Sequence, residues 1–198
     1  MKRRTFDRIV SFVGLGLSVF LFVAAALLNW GASFADESVA TQLSKQKITM
    51  PDKGSAGFKA LSEEAQTALA PFSNKPLTTG RQAQAYADFY IGSHLKGIAG
   101  GKVYSEVSGM ALGAAAKSKA EPANIALATE AGVLMGQRTT LFMGETLRGL
   151  LLYSFAFWQI GQIAMYAAWA AAVGGLLMLV LSLLGFAHLR RVEADATI

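Results

Sequence analysis

The segment "TTGRQAQAYADFYIGSHLKGIAGGKVYSEVS", Thr78–Ser108, concentrates side chains that could do chemistry. Tyr86, Tyr90, Tyr104, Asp88, His94, Lys96 and Lys102 fall within it, together with a Gly100-Gly101 pair. His94 is the first suspect, as a metal ligand or a proton carrier. A zinc site needs three or four ligands at suitable spacing. The chain has no cysteine and two histidines, His94 and His188. Haem would need an axial ligand such as His94 and an apolar pocket. A single histidine makes neither centre, so no metal and no cofactor is assigned. His94 reads instead as a partly buried helix histidine touching Tyr90, four residues back.

Other chemistries are weaker still. Ser93-His94-Leu95-Lys96 matches S-x-x-K, the nucleophile motif of penicillin-binding enzymes, but the partner motifs S-D-N and K-T-G are missing. Asp88 and His94 lie about 240° apart around a helix, at 100° per residue, and form no dyad. Gln84 and Asp88 share a face at i, i+4 and are expected to pair. Gly97, Gly100 and Gly101 follow no strand, so a phosphate loop is unsupported. What remains is a polar and aromatic face, Gln82, Tyr86, Tyr90, His94 and Tyr104, that could meet a ligand or a protein partner. Such tyrosines are more often core residues with a hydrogen-bonded tip. Order explains the segment better than catalysis does.

The elements that position this face are helical. Thr79 and Gln82 form a T-x-x-Q capping box, which predicts a helix starting at Gly80. Ala87, Ile91, Leu95 and Ile98 make one apolar stripe, and Gly100-Gly101 supplies a left-handed stop. A second helix is expected over Val103–Ala116. Pro122 suits the first turn of a third, with Leu127, Ala131, Leu134 and Met135 on one face. Upstream, Ala35–Lys47 continues a preceding helix. "KITMP" reads as extended because it is β-branched and ends in Pro51. Leu61–Leu69 is a short helix with Ser62 near its start and Glu63 and Glu64 in its first turn.

Two apolar blocks flank this middle part. Ile9–Leu28 carries no charge, and Gly149–Leu189 carries none apart from His188. About 20 apolar residues cross a bilayer core, so each block supplies one span. The expected division is 1–8 cytoplasmic, 9–29 spanning, 30–162 a helical domain ending in an interfacial helix, 163–187 spanning, and 188–198 a cytoplasmic tail. A signal peptide ending near Ser33-Phe34-Ala35 is the alternative for the first block. Its apolar core is longer than the ~7–15 residues of signal peptides, which favours an uncleaved anchor. The fold class is therefore mainly α, with two transmembrane helices flanking a helical extracytoplasmic domain.

The net charge of +5 does not imply nucleic acid. Lys2, Arg3, Arg4 and Arg8 precede the first span, and Arg190 and Arg191 follow the second. The middle, Trp30–Leu147, carries eleven basic residues against ten acids, without a basic cluster. By the positive-inside rule both termini lie in the cytoplasm of a plasma-membrane protein and the centre lies outside, with Trp30, Tyr153 and Trp158 suited to an outer aromatic belt. The exported domain has no cysteine for disulfides.

Small residues mark a seam between the spans. Ser11, Ser18 and Ala25 recur every seven residues in the first, and Ala168, Gly175 and Ser182 in the second. Depth matching of antiparallel helices pairs Ser11 with Ser182, Ser18 with Gly175 and Ala25 with Ala168. Close packing of small residues is what associates helices in lipid.

Several segments resemble a family of uncharacterised actinobacterial two-span membrane proteins: "QKITMP", "GRQAQAYADFYIGSHL", "GGKVYSEVS", "GETLRGLLL", "FWQIGQIA" and "LSLLGFAHLRR". The label aromatic ring-opening dioxygenase is sometimes attached to such proteins. An extradiol dioxygenase needs two histidines and a carboxylate on iron, whereas His94 and His188 are expected on opposite sides of the membrane. The resemblance implies a two-span envelope protein and supplies no catalytic residue. The function expected is a non-catalytic binding or assembly module whose partners are the lipid bilayer and another envelope or membrane protein. The alternatives are a small-molecule binder or enzyme using Tyr90, His94 and Tyr104, and an oligomeric channel or transporter subunit.

Overall fold

The computed structural model describes residues 3–191; the first two residues and the tail from 192 onward, which belong to the expected cytoplasmic ends, lie outside the described residues. The chain is mainly α, and the described residues contain no strand. Helix α1 spans Arg3–Lys45. Short helices follow: α2 Ala56–Lys59, α3 Glu63–Leu69, α4 Gly80–Ala85 and α5 Gly92–Lys96. Then come α6 Tyr104–Ala120 and α7 Ile125–Leu189. At 1.5 Å per residue the 43 residues of α1 extend about 65 Å and the 65 of α7 roughly 100 Å. Both helices are long and apolar enough to cross a membrane. Helix α7 runs unbroken from the middle part of the chain through the second apolar block.

Contacts divide the chain into two compact units, one made of the chain's two ends and the other of Ser38–Trp158. In the first unit, residues 3–37 of α1 and 159–191 of α7 pack antiparallel. Partner numbers rise on one helix as they fall on the other: Ser11 lies against Gly185, Ser18 against Gly175 and Ala35 against Gly161. Ser18 Oγ donates to the Gly175 carbonyl at 2.8 Å. Ser11, Ser18, Ala25, Ala168 and Ser182 are buried, while Phe20, Leu27, Trp169 and Leu177 point outward, each at least 60% exposed. The pairing of Ser11 with Ser182 is replaced by two glycine contacts. The Ser182 hydroxyl occupies the space a Cβ at Gly14 would need, and the Ser11 hydroxyl the space at Gly185. Each hydroxyl bonds its own helix, Ser11 to the Asp7 carbonyl at 2.8 Å and Ser182 to that of Met178 at 2.7 Å. A hydroxyl satisfied within its own turn is free to sit against a glycine rather than against another hydroxyl.

The second unit has an ordinary apolar core built on Leu43, Met50, Phe58, Leu69, Leu77, Ala83 and Leu151. Helices α2, α3 and α4 begin at serine or threonine caps. Ser55 accepts from the Phe58 amide at 3.2 Å and Ser62 from that of Ala65 at 3.3 Å. The extended "KITMP" segment pairs with the loop after α3: Met50 donates to the Lys75 carbonyl and Leu77 to that of Ile48, each at 2.9 Å. At the start of α7 the cap is Asn124, whose Oδ1 accepts from the Leu127 amide at 3.3 Å. Pro122 therefore lies in the preceding turn and not in the helix. Asparagine is the better cap, since its side chain satisfies an orphan amide that proline can only omit. The smaller cluster of Ala111, Ala114, Ala131 and Leu134 joins α6 to α7.

Candidate binding site

The Thr78–Ser108 segment enters the core through its capping box. Gln82 Oε1 accepts from the amides of Thr78 and Thr79 at 2.8 and 2.9 Å, and Thr79 Oγ1 accepts from the Gln82 amide at 3.3 Å. Gln82 is buried. It closes the helix start and presents nothing to a ligand. Gly80 sits under Trp158, where an added Cβ would come within 2.5 Å of the indole side chain.

Beyond Ala85 the helix widens into a π-turn, Tyr86–Ile91. Such turns are rare and frequent at functional sites. Here the wider turn brings Tyr86, Tyr90 and His94 into one file. The two phenol rings are 4.8 Å apart and the Tyr90 ring is 4.5 Å from the imidazole. His94 Nδ1 lies 2.7 Å from the Tyr90 carbonyl oxygen. His94 is exposed rather than partly buried, because the apolar stripe turns Ala87, Ile91 and Leu95 inward and leaves the histidine on the opposite side. Ser93 donates to the Phe89 carbonyl at 2.7 Å.

Tyr104 does not join this file. Its ring faces Phe142 at 5.6 Å, Arg138 Nη2 donates to its hydroxyl at 3.4 Å, and the guanidinium lies 5.8 Å from its ring. Arg138 Nε also donates to Ser108 Oγ at 2.9 Å, so Tyr104 belongs to a latch between α6 and α7. Asp88 pairs with Arg148 at 3.1 Å, and not with Gln84. A fixed guanidinium offers a stronger, charge-assisted bond than a neutral amide one turn away. Arg148 also holds Glu145 at 3.0 Å. Burial alone would lower the Arg148 pKa, but its bonds to Asp88 and Glu145 outweigh that and the net direction is up. Among the described residues no three metal-ligating side chains gather.

Tyr86, His94 and Tyr104 line three different cavities. The cavities beside Tyr86 and His94 are of similar volume, about 470 and 450 Å³, but the first is lined mostly by apolar side chains and the second carries Ser62, Ser93, His94 and Lys96. Sites for small molecules run to roughly 300–1,000 Å³ and are mostly apolar with a few placed polar groups. One wall is α7, with Leu147, Leu150, Leu151 and Ser154 at i, i+3, i+4 and i+7. The facing wall is the end of α1, with Gln42, Leu43 and Gln46, followed by Ile48. Tyr86 and Ile91, the two ends of the π-turn, close it. No acid, base or histidine lines it. Burial, and secondarily the neighbouring Tyr90, push the Tyr86 phenol up from its ordinary pKa, so it stands as a neutral hydroxyl. Gln42 and Gln46 were absent from the face read in the sequence. Their signal was faint: two uncharged polar residues at i, i+4 on the polar side of a helix end. Comparison with known protein families, with curated proteins and with solved structures finds no match.

Proposed function

We propose that this protein is a two-pass plasma-membrane protein whose helical part, Ser38–Trp158, is a non-catalytic binding module of the cell envelope, held outside the cytoplasm with both termini inside. The observation that carries the membrane part is the inverted helix pair, with serine, alanine and glycine inside and phenylalanine, leucine and tryptophan outside. Water would not tolerate so large an apolar exterior, whereas lipid would cover it. The binding part rests on an uncharged cavity with polar tips and no assembled catalytic group around it. The enzyme reading looks to Tyr90, His94 and Tyr104 at one pocket; Tyr90 and His94 lie ring to ring, but Tyr104 sits apart, against Phe142 and Arg138. The resemblance to actinobacterial two-span proteins points to the same envelope location.

Because the chain has no cysteine, single introductions are clean probes of orientation. Ser33→Cys and Lys102→Cys should react with a membrane-impermeant thiol reagent in intact cells; Thr5→Cys and Ala196→Cys should react only after permeabilisation. Labelling of Thr5→Cys without labelling of Lys102→Cys would invert the orientation.

A further inference from the structure

Three polar side chains around the 470 Å³ cavity, Tyr86, Gln42 and Gln46, have no hydrogen-bond partner among the described residues; Tyr86 is half-buried and the two glutamines are exposed. Among the described residues, the Tyr86 hydroxyl and the side-chain amides of Gln42 and Gln46 make no hydrogen bond within the protein, while Leu147, Leu150 and Leu151 on α7 and Leu43 on α1 give the cavity its apolar lining. Ser154 is different, since its hydroxyl donates to the Leu150 carbonyl at 3.2 Å. We infer that this cavity binds a neutral single-chain amphiphile, with the apolar chain against the Leu147–Leu151 wall and a hydroxyl- or carbonyl-bearing head at Tyr86, Gln42 and Gln46. The inference rests on the binding-module reading and names its ligand class.

Three features select this occupant. The volume suits a small molecule rather than a folded partner. The lining carries no charge, so a carboxylate, phosphate or ammonium head finds no ionic partner in it and loses to a neutral head wherever it is drawn out of water. The unpaired tips supply both donors and acceptors, so an uncharged head with a hydroxyl or carbonyl recovers the bonds that it and the protein give up to water. An alkane without such a head would displace water from those tips and return no bond. Tyr86 also ends the Tyr86–Tyr90–His94 file, and the tilted Tyr90 ring 4.8 Å away packs against its phenol beside the cavity.

The test uses the full chain in phospholipid nanodiscs and a monoacylglycerol carrying a photoactivatable diazirine in its acyl chain. Labelling is expected on peptides containing Gln42–Ile48, Tyr86–Ile91 and 147–154, and unlabelled monoacylglycerol should suppress it. A fatty acid and an alkyltrimethylammonium of equal chain length should compete at least about tenfold less well. Leu150→Trp, which fills the cavity from its rim, should abolish labelling of these peptides. Tyr86→Phe should weaken competition by monoacylglycerol about three- to tenfold while leaving helicity unchanged. Equal competition by the fatty acid would overturn the inference, as would wild-type labelling of a folded Leu150→Trp. So would label confined to 9–29 and 163–187, which would mark the probe as bulk lipid. A crosslink from the cavity to another protein, insensitive to monoacylglycerol, would replace the amphiphile by a protein segment and leave the binding-module reading standing. Inverted thiol labelling would instead remove the envelope location and leave the ligand class untouched.

Discussion

The two units are made from the same material, long helices, and are held together by opposite means. Between residues 3–37 and 159–191 the buried residues are serine, alanine and glycine, with Leu189 at the end of α7 the exception, and the other large ones face out. Within Ser38–Trp158 the buried residues include methionine, leucine and phenylalanine, and α2, α3 and α4 are each closed by a polar cap. The difference is one of solvent. Where water is the alternative, burying large apolar surface is the main driving force. Where hydrocarbon is the alternative, that force is absent and only close approach and hydrogen bonds such as Ser18 to Gly175 remain. The size of a buried side chain thus reports which medium its helix was built for.

Truncating a large side chain gives the widest separation between the units. Leu69 is fully buried in the second unit, so Leu69→Ala should cost about 2–5 kcal/mol there. Leu17, on the outer face of the first, is 43% exposed, and Leu17→Ala should change stability by less than about 0.5 kcal/mol. Thermal unfolding in micelles, resolved by peptide hydrogen exchange, compares the two. Equal losses would erase the distinction.

Enlarging a small residue should reverse the ranking. A Cβ at Gly14 runs into the Ser182 hydroxyl, whereas Gly16, half a turn away, has nothing within 4 Å. Gly14→Val should therefore destabilise the helix pair by about 1–3 kcal/mol more than Gly16→Val, the usual range for overpacking. Titration of helicity with a denaturing detergent measures it. Indistinguishable variants would mean that the seam is not close-packed.

The smallest effect is a pH dependence confined to the second unit. The folded state holds the Tyr86 proton more tightly than the unfolded chain does, chiefly through burial. Above about pH 10, where a free tyrosine ionises, the folded form therefore binds more protons. Stability should be flat with respect to this group below that pH and fall as pH rises beyond it. Tyr86→Phe should remove part of that fall, and the tyrosinate absorbance of the wild type should appear later in the titration than that of the variant set predicts. An unchanged alkaline slope in Tyr86→Phe would place the phenol in water.

What could be read in the sequence was local or strictly periodic. The Thr79–Gln82 box and the left-handed stop at Gly100 and Gly101 need only four or five residues to agree. Ser18 and Gly175 are neighbours that depth matching reaches from two rows of small residues. The rest depended on distance or on competition. Asp88 could reach Gln84 in sequence, but Arg148 arrives from sixty residues away and prevails. Tyr104 looked like a neighbour of Tyr90 until the break after Lys96 carried it to Arg138. That break includes Ala99 at a positive φ of 54°, a conformation no side chain advertises. The π-turn has no residue signature either, and with it the cavity between Tyr86 and α7 was invisible.

The reciprocal contacts of Ser11 with Gly185 and Gly14 with Ser182 have a consequence for inheritance. Each pair holds one hydroxymethyl and one hydrogen in a space that admits no second side chain. A lone change at either glycine is therefore a lesion, while an exchange, Gly14→Ser with Ser182→Gly, keeps the total volume and leaves the gap filled. Descendants of this chain should drift along the seam by paired swaps, so that what persists between generations is the sum at each level and not the letter at each site.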